Sequence, residues 1–303
     1  MGTRGSALAR AQAAWVIAAL RRRFSEHTFT VRTVRTLGDQ VQDVPLGAFG
    51  ARGVFVREID HLLLAGEIDL AVHSLKDVPT DLPPGIALAA FPHRADPRDA
   101  LVSRDGRRFR DLPAGARVGT SSVRRRAQLR ACRPDLDYRD DLRGNVDTRL
   151  RKLAAGDYDA IVLAAAGLER LGRADEIAER LPPELCLPDA GQGTLVVAVR
   201  SDDPTARAIA AAIDDPAIRS EALAERAVLA AFGGGCRIPV AAYARADGDR
   251  LVVDGLVAAP DGSRIIRARL EGPRDDPIGL GRALWERLAA GGADALLVGM
   301  CYG

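Results

Sequence analysis

Cys236 follows three glycines and precedes Arg237, a setting that favours a reactive thiol. The glycines leave the sulfur without side-chain cover, and a neighbouring guanidinium stabilises the thiolate. The alternative is a cysteine packed beside a flexible loop. Cys132, Cys186 and Cys301 lack this context, so we interpret them as structural free thiols. Because the four cysteines are widely spaced and form no CxxC pair, we expect neither a metal site nor a disulfide framework.

Three basic segments predict sites for anions. In the segment 119–126, small hydroxyl residues and then arginines stand where a strand passes into a helix. Backbone N–H groups at a helix start attract anions, and guanidinium groups pair with carboxylates or phosphates. The segment 143–149 and the pair Arg4 and Ser6 repeat the pattern, which indicates a ligand with several negative charges. The alternative is a set of capped helices with solvated basic faces.

Lys76 and Asp77 follow a predicted buried strand, where site residues of open α/β sheets usually lie. A lone carboxylate among cationic loops is expected to stay ionised, because nearby positive charge lowers its pKa. In that form it stabilises a cation that develops in a bound substrate. The alternative is an ion pair of the two residues at the surface.

The first third of the chain alternates helix and strand patterns. Leu8, Ala11, Trp15 and Ala18 fall at helical spacing and predict one apolar helix face. Gly66 is expected to end a second helix, which starts near residue 55. Strands are predicted over 29–35, 69–73 and 86–91. This alternation favours a mostly parallel sheet with helices on both faces.

The segment 92–98 breaks this pattern and is a candidate linker. Further strands are predicted over 117–120, 159–164, 194–199, 238–244, 251–257 and 263–270, and further helices from 123 and over 146–155, 217–232 and 278–290. Because the strand at 194–199 follows another linker-like stretch, the chain is expected to return to the first domain there. We predict three domains: 1–93 with 194–213, 98–190, and 217–303.

Taken together, the motifs of this chain resemble those of porphobilinogen deaminases. The matching runs occur in the family order and cover nearly the whole chain. They are Thr3–Ala9, Val72–Pro79, Gly119–Arg125, Leu142–Leu150, Ala166–Leu168, Arg170–Gly172, Gly191–Gly193, Glu225–Ala227 and Gly234–Cys236. Each run is weak by itself, and the ordered set is highly specific.

The resemblance implies an α/β fold with two domains like the lobes of periplasmic binding proteins and a small α+β C-terminal domain. It implies a dipyrromethane cofactor held by a thioether at Cys236. It further implies that porphobilinogen units are joined with loss of ammonia and that water then releases the linear tetrapyrrole, hydroxymethylbilane. A monomer is the family expectation. No export signal is visible in the sequence, which favours the cytoplasm, and the residue patterns predict no metal, nucleic acid or membrane as partner.

The resemblance also assigns roles to residues. Asp77 matches the catalytic carboxylate, and Arg52 and Phe55 lie in a segment that resembles a mobile loop over the site; the alternative for Phe55 is a core aromatic on the second helix. The residues matched to carboxylate binding, directly or in support, are Arg4, Ser6, Gln12, Lys76, Thr120, Ser121, Ser122, Arg124, Arg125, Arg143, Arg149 and Arg170.

The chain departs from the family pattern in two places. Relatives usually have a short strand before the first Thr-Arg motif, whereas only Met1 and Gly2 precede Thr3. We therefore expect either a missing internal strand in the first domain or a misassigned start. Ala48 and Arg52 stand where lysines are common, which weakens the assignment of the loop.

Composition leaves two other classes of function to weigh. A non-enzymatic solute-binding protein suits two hinged lobes, but it is usually exported and no leader is visible. A nucleic-acid binder is disfavoured because aromatic residues make up only 4% of the chain and the net charge is only +2. No apolar run approaches the length of a membrane span.

Overall fold

The computed structural model describes residues 1–36, 56–233 and 239–296. Within these residues the chain forms two five-stranded sheets and one three-stranded sheet. We call the parts built on them the first unit, the second unit and the C-terminal unit. Each sheet has its own buried apolar core. The structure therefore confirms two α/β units followed by a small α+β unit.

The first unit is a mixed sheet covered by helices. Its strands are β1 (Gly2–Arg4), β2 (Arg32–Val34), β3 (Ala71–Ser74), β4 (Ile86–Ala90) and β10 (Leu195–Arg200), and its helices are α1 (Ala7–Arg23), α2 (Arg57–Leu64) and α6 (Pro204–Ala211). The strand order is β2-β1-β3-β10-β4. Strand β1 runs parallel to β2 and β3, whereas β10 is antiparallel to both its neighbours. Four of these five strands therefore run in the same direction, and the expectation of a mostly parallel sheet is confirmed. Strand β10 is reversed because it enters the sheet from the opposite end after the second unit.

The second unit repeats this arrangement. Its strands are β5 (Asp99–Ser103), β6 (Arg117–Gly119), β7 (Asp137–Arg139), β8 (Ala160–Ala164) and β9 (Glu179–Arg180), and its helices are α3 (Val123–Cys132), α4 (Val146–Ala154) and α5 (Ala165–Arg170). Strand β6 is parallel to β7 and β8, and β5 is antiparallel to β8 and β9. Strands β5, β7 and β9 are not among the predicted elements. They are short and show no clean alternation of apolar and polar residues, so periodicity does not reveal them.

Strand β1 forms although only Met1 precedes Gly2. Thr3 is fully buried, and β1 pairs with a strand on each side. The Gly2 N–H donates to the Leu70 carbonyl at 2.7 Å, and the Met1 amino group donates to the Thr30 carbonyl at 3.0 Å. The expectation that the first unit lacks an internal strand is therefore wrong. Three residues suffice because pairing on both sides satisfies their backbone groups.

Helix α1 buries a different face from the predicted one. Ala9, Ala13, Val16, Ile17 and Leu20 point into the core at helical spacing. The predicted residues Leu8, Ala11 and Trp15 are only half-buried, and Ala18 is exposed. An alanine-rich helix carries two apolar stripes, so its sequence predicts the helix well but not which stripe faces the sheet.

Two crossover segments, 91–98 and 190–194, connect the first and second units. They are held together by an antiparallel bridge between Arg94 and Thr194 and by a hydrogen bond from the Ala95 N–H to the Gly193 carbonyl at 3.0 Å. Gly193 has φ +84°, and a Cβ there would lie 2.4 Å from the Ala95 oxygen, so only glycine fits. The crossover places the strand ends of both sheets next to each other. The predicted domain bounds stay a prediction.

The C-terminal unit is an antiparallel meander packed against two helices. Its strands are β11 (Val240–Asp247), β12 (Arg250–Ala258) and β13 (Ile265–Pro273), and its helices are α7 (Pro216–Ala231) and α8 (Pro277–Ala290). The predicted strands and helices of this part are confirmed, with ends shifted by a few residues. Glu225 on α7 is fully buried and accepts from Arg94 Nη2 at 2.8 Å and from the Gly191 N–H at 2.6 Å. This unit is therefore fastened to both crossover segments.

Candidate active site

The Lys76–Asp77 pair lies on a single 3₁₀ turn, Leu75–Asp77, at the end of β3. Leu75 is buried, and its N–H donates to the Thr194 carbonyl at 3.0 Å. Gly191 packs against the Leu75 side chain, where a Cβ would come within 2.8 Å of Leu75 Cγ. The turn is thus held against the second crossover segment, and the Lys76 side chain reaches Gln192 of that segment.

The Asp77 carboxyl has a pKa above its usual value. Desolvation by the surrounding protein raises it, and the negative charge of Asp189 raises it further, whereas Lys76 and Arg4 act in the opposite direction. The expectation of a lowered pKa for Asp77 is therefore wrong: Lys76 and Arg4 act to lower it, but desolvation outweighs them. A carboxylate with a raised pKa exchanges a proton more readily near neutral pH.

The Lys76 ammonium is reached by solvent but is closely surrounded by protein. Desolvation lowers its pKa, and the nearby Arg125 guanidinium acts in the same direction. Its Nζ donates to Gln192 Oε1 at 3.3 Å. Within the described part of the chain Lys76 forms no ion pair with Asp77, so the alternative of a surface pair is not what the structure shows. Gln192 instead links Lys76 to the second unit.

Asp99, at the start of β5, is the centre of a buried ion network. Its carboxylate is fully buried and accepts from Arg124 Nη1 at 2.7 Å, Arg125 Nε at 2.9 Å and Gln192 Nε2 at 2.9 Å. The Cys186 thiol donates to it at 3.2 Å. Burial by itself raises the pKa of Asp99, but the two guanidinium charges hold it below its usual range.

Arg124 and Arg125 therefore neutralise a buried carboxylate, which their sequence pattern does not indicate. Arg124 is 4% exposed and also donates to the Leu187 carbonyl at 2.6 Å. Arg125 is 6% exposed and also donates to the Val162 carbonyl at 2.9 Å. Both guanidinium groups are counter-ions of Asp99, and their role towards a ligand stays a prediction.

The predicted hydroxyl residues lie at helix starts and serve as caps. Ser6 Oγ accepts from the Ala9 N–H at the start of α1, and Ser122 Oγ accepts from the Arg125 N–H at the start of α3. Thr120 is buried, and its hydroxyl accepts from the Ser122 N–H at 3.3 Å. Ser121 is half-buried. The predicted caps are therefore present, and anion binding at these helix starts stays a prediction.

Three helix starts from two units meet around Gly167 on α5. A Cβ at this position would lie 3.7 Å from Leu8 Cδ2 on α1 and 3.8 Å from Val146 Cγ2 on α4. Asn145 caps α4 by accepting from the Thr148 N–H at 2.9 Å. The basic segments that are far apart in sequence are therefore neighbours in space.

Arg143, Arg149 and Arg170 form a set of cations that have no carboxylate partner within the described ranges. Arg149 Nε donates to the Gly144 carbonyl at 2.8 Å, and Arg170 Nη2 donates to the Gly193 carbonyl at 2.5 Å. Desolvation lowers the pKa of Arg149 to about 10, with Arg125 and Arg143 adding repulsion, and desolvation also lowers that of Arg170 to about 10. We call these three residues the open arginines. Their positive charges are therefore not balanced by an ion pair with a carboxylate of the described residues.

Two further side chains border Arg4 and Asp77. Gln12 is 4% exposed and donates from Nε2 to Ser74 Oγ at 2.7 Å, so it supports the end of β3. His73 is buried, and its Nε2 has no hydrogen-bond partner among the described residues. Desolvation lowers the pKa of His73 to about 4, and the charge of Arg4 acts in the same direction.

Several predicted residues lie outside the described part of the chain, namely Cys236, Cys301, Ala48, Arg52 and Phe55. Of the other cysteines, Cys186 is buried as expected, whereas Cys132 is exposed, so its interpretation as a structural residue is wrong. It lies at the end of α3, where the sequence gives no sign of which side faces solvent.

Sequence reasoning missed Asp99 and Gln192 as parts of the site. Asp99 directly follows the candidate linker, and Gln192 lies within a matched motif. The sequence therefore marks both positions but does not indicate what either residue does. Gln192 joins the two halves of the site, because its amide contacts Asp99 on one side and Lys76 on the other. This connection between Lys76 and Asp99 becomes visible only in the tertiary structure, where segment 190–194 packs between them.

Family models match this chain over most of its length. Residues 1–208 match the dipyrromethane cofactor-binding domain of porphobilinogen deaminase, and residues 220–290 match the C-terminal domain of the same family. The chain belongs to the porphobilinogen deaminase family. Its first two units therefore carry the cofactor-binding domain of that family.

Similar proteins named porphobilinogen deaminase share almost the full chain. The protein from Roseiflexus castenholzii is 52% identical over 99% of this chain and 98% of its own length. That from Bordetella parapertussis is 50% identical over 98% of this chain and 94% of its own. That from Geobacter metallireducens is 47% identical over 98% and 93%, respectively.

Solved structures give more distant matches. A domain of BvgS from Bordetella pertussis has a TM-score of 0.40 and 17% identity, covering 67% of this chain and 76% of that domain. A substrate-binding domain of an amino-acid transporter from Streptococcus pneumoniae also has a TM-score of 0.40, with 13% identity over 73% of this chain and 84% of its own. At these scores the likeness is too distant to support an argument on the fold.

The residues present fit a dipyrromethane. Each pyrrole of such a cofactor carries acetate and propionate groups, and the open arginines offer guanidinium groups that lack carboxylate partners among the described residues. Arg149 and Arg170 pay a desolvation cost that a bound carboxylate would offset. The donor set therefore suits a polycarboxylate far better than a neutral ligand.

Proposed function

We propose that this chain is a hydroxymethylbilane synthase, which joins porphobilinogen units with loss of ammonia on a dipyrromethane held by Cys236 as a thioether. The observation that supports it most directly is the set of open arginines beside a single turn that carries Lys76 and Asp77. Family membership supplies the reaction, and the cationic surroundings suit both the cofactor and the growing chain of pyrrole carboxylates.

The open arginines, together with Arg4 and Lys76, bind carboxylates directly. The helix starts at Ser6 and Ser122 add backbone N–H groups, because their capping hydroxyls leave other first-turn donors available. Arg124 and Arg125 contribute positive potential from their ion network, and Gln12, Thr120 and Ser121 support the adjoining backbone. Arg52 and Phe55 are proposed to cover the site.

Asp77 handles charge and protons at the pyrrole nitrogen of the incoming substrate. As ammonia leaves, positive charge builds on that nitrogen, and a fixed carboxylate beside its N–H stabilises the charge. When bound, the dipyrromethane supplies the free pyrrole α-carbon to which the first unit is joined. Because its pKa is raised, Asp77 is also suited to accept the proton that this coupling sets free and to return it.

We further propose that the chain acts as a monomer in the cytoplasm. The free thiols of Cys132 and Cys186 fit a reducing compartment. In the described residues every helix is too short or too polar to cross a bilayer. The part of the proposal that concerns porphobilinogen does not depend on either statement.

The test is turnover of porphobilinogen by Asp77→Asn, measured as pyrrole consumed and ammonia released. We expect a loss of about 10²- to 10⁴-fold with an unchanged midpoint of urea unfolding, because the amide keeps the shape but neither carries charge nor accepts a proton. Asp81→Asn, an exposed position on the following loop, serves as the matched control and should keep full turnover. Near-normal turnover of Asp77→Asn would contradict the proposed role.

A further inference from the structure

Asp189 is the single residue between Cys186 and Val199 that keeps contact with solvent; all others in that stretch are buried. The backbone around it is fixed on both sides. The Leu187 carbonyl accepts from Arg124 at 2.6 Å, and the Gly191 N–H donates to Glu225 at 2.6 Å. Pro188 and Ala190 are buried and Asp189 between them is half-buried, so the Asp189 side chain reaches solvent.

The Asp189 carboxylate belongs to the same cluster as Lys76 and Asp77. Its backbone carbonyl accepts from the Gln192 N–H at 2.9 Å, and the Gln192 side chain binds Lys76. The negative charge of Asp189 acts on Lys76, Asp77 and Arg124. In the described residues its side chain forms no hydrogen bond or ion pair, so it is a carboxylate left without a partner where cations predominate.

Porphobilinogen has charges of both signs. Its two carboxylates suit the open arginines, but its aminomethyl group is an ammonium, which these cations repel. A site lined only with cations would disfavour the reacting end of the substrate. A carboxylate placed beside Asp77 removes this conflict and orients the substrate with its aminomethyl group towards the turn.

We propose that Asp189 is the carboxylate that receives the ammonium group of incoming porphobilinogen, an inference that rests on the function proposed above. The nearby negative charge keeps the amine protonated. The C–N bond then breaks, its electron pair leaves with nitrogen as ammonia, and the pyrrole nitrogen supplies the pair that forms the exocyclic double bond. The positive charge passes from the leaving group to the pyrrole nitrogen, where Asp77 stabilises it.

The test compares two ligands in Asp189→Asn: porphobilinogen, and the same pyrrole diacid with hydrogen in place of the aminomethyl group, used as an inhibitor. We expect the KM for porphobilinogen to rise about tenfold, because an ammonium loses a charged partner. The inhibition constant of the analogue should stay unchanged. Asp111→Asn, which removes an exposed carboxylate of the second unit, is the matched control and should alter neither constant.

A pH profile gives a second readout. Asp77 is faced by Lys76, Arg4 and Asp189, and Asp189 is the one of these three that raises its pKa. Loss of that charge should move the acidic limb of kcat/KM to lower pH. An unchanged KM for porphobilinogen in Asp189→Asn, or an equal rise in that KM and in the inhibition constant of the analogue, would overturn the inference. In either case, turnover by the wild-type protein would still support the proposed function. Wild-type protein without turnover of porphobilinogen would instead refute the function itself.

Discussion

The arginines of the Asp99 network and the open arginines differ in what surrounds them, although Arg143 and Arg149 stand, like Arg124 and Arg125, in basic segments near helix starts. Arg124 and Arg125 are almost fully buried and share one carboxylate. Arg143 and Arg149 are half-buried and meet no carboxylate among the described residues. The comparison teaches that arginines in similar sequence patterns differ in the position of their acidic partners, which separates those that hold the fold together from those that we propose to bind the ligand.

The largest expected effect comes from removing the shared carboxylate. Asp99→Asn leaves two buried guanidinium groups without a counter-ion, so we expect the free energy of unfolding to fall by about 3–5 kcal/mol. Urea unfolding followed by circular dichroism measures it. The matched control is Asp254→Asn, whose partner Arg269 is exposed and whose partner Arg245 is half-buried, so that its loss should cost about 1 kcal/mol. Equal losses for the two variants would remove the distinction between the two sets.

His73, which is buried within reach of the charge of Arg4, tests how strongly this part of the first unit resists a further positive charge. Its pKa is about 4 in the folded chain and about 6.5 when unfolded, so the unfolded chain binds the extra proton first as the pH falls. Stability should therefore be full above pH 6.5 and be lost progressively down to pH 4, by about 3 kcal/mol from this residue. In His73→Phe the slope of unfolding free energy against pH should be shallower over that window. An unchanged slope would contradict this, because it would mean that His73 binds its proton at the same pH in the folded and the unfolded chain.

The smallest effect on stability is expected at the open arginines. Arg149→Met removes a desolvated cation without breaking an ion pair, so the urea midpoint should stay the same or rise. The KM for porphobilinogen should increase about tenfold to a hundredfold, since a charged hydrogen bond to a carboxylate is lost. Arg117→Met, which breaks the ion pair with Asp159 away from the site, is the control and should leave the KM unchanged. A clear loss of stability in Arg149→Met would place this residue with the Asp99 network.

Much of the fold follows from the sequence because long elements carry a clear period. Helix α8 and strands β11 to β13 are predicted within a few residues. The buried stripe of α1 is not, since alanine on both stripes makes them equivalent until the sheet is in place. The reversed strand of each sheet, β10 in the first unit and β5 in the second, is not predicted either, because its direction depends on where the chain enters the sheet.

The site divides in the same way. The Lys76–Asp77 turn and the basic helix starts are visible as local patterns. The raised pKa of Asp77 is not, because desolvation depends on packing that no neighbouring letter reveals. Asp99 and Gln192 become recognisable only when the crossover brings β3 and α3 together. The sequence thus predicts which residue types lie at the site, but it does not predict their pKa shifts or their partners from distant segments.

The account depends most on a pyrrole cofactor held at Cys236 among these cations. Its most direct test is the intact mass of freshly purified chain, measured under denaturing conditions for wild type and for Cys236→Ser. We predict that the wild type carries the additional mass of two linked pyrroles and gains further pyrrole units after brief exposure to porphobilinogen, whereas Cys236→Ser has only the mass of its sequence. A folded wild-type chain with no added mass before or after that exposure would contradict the account.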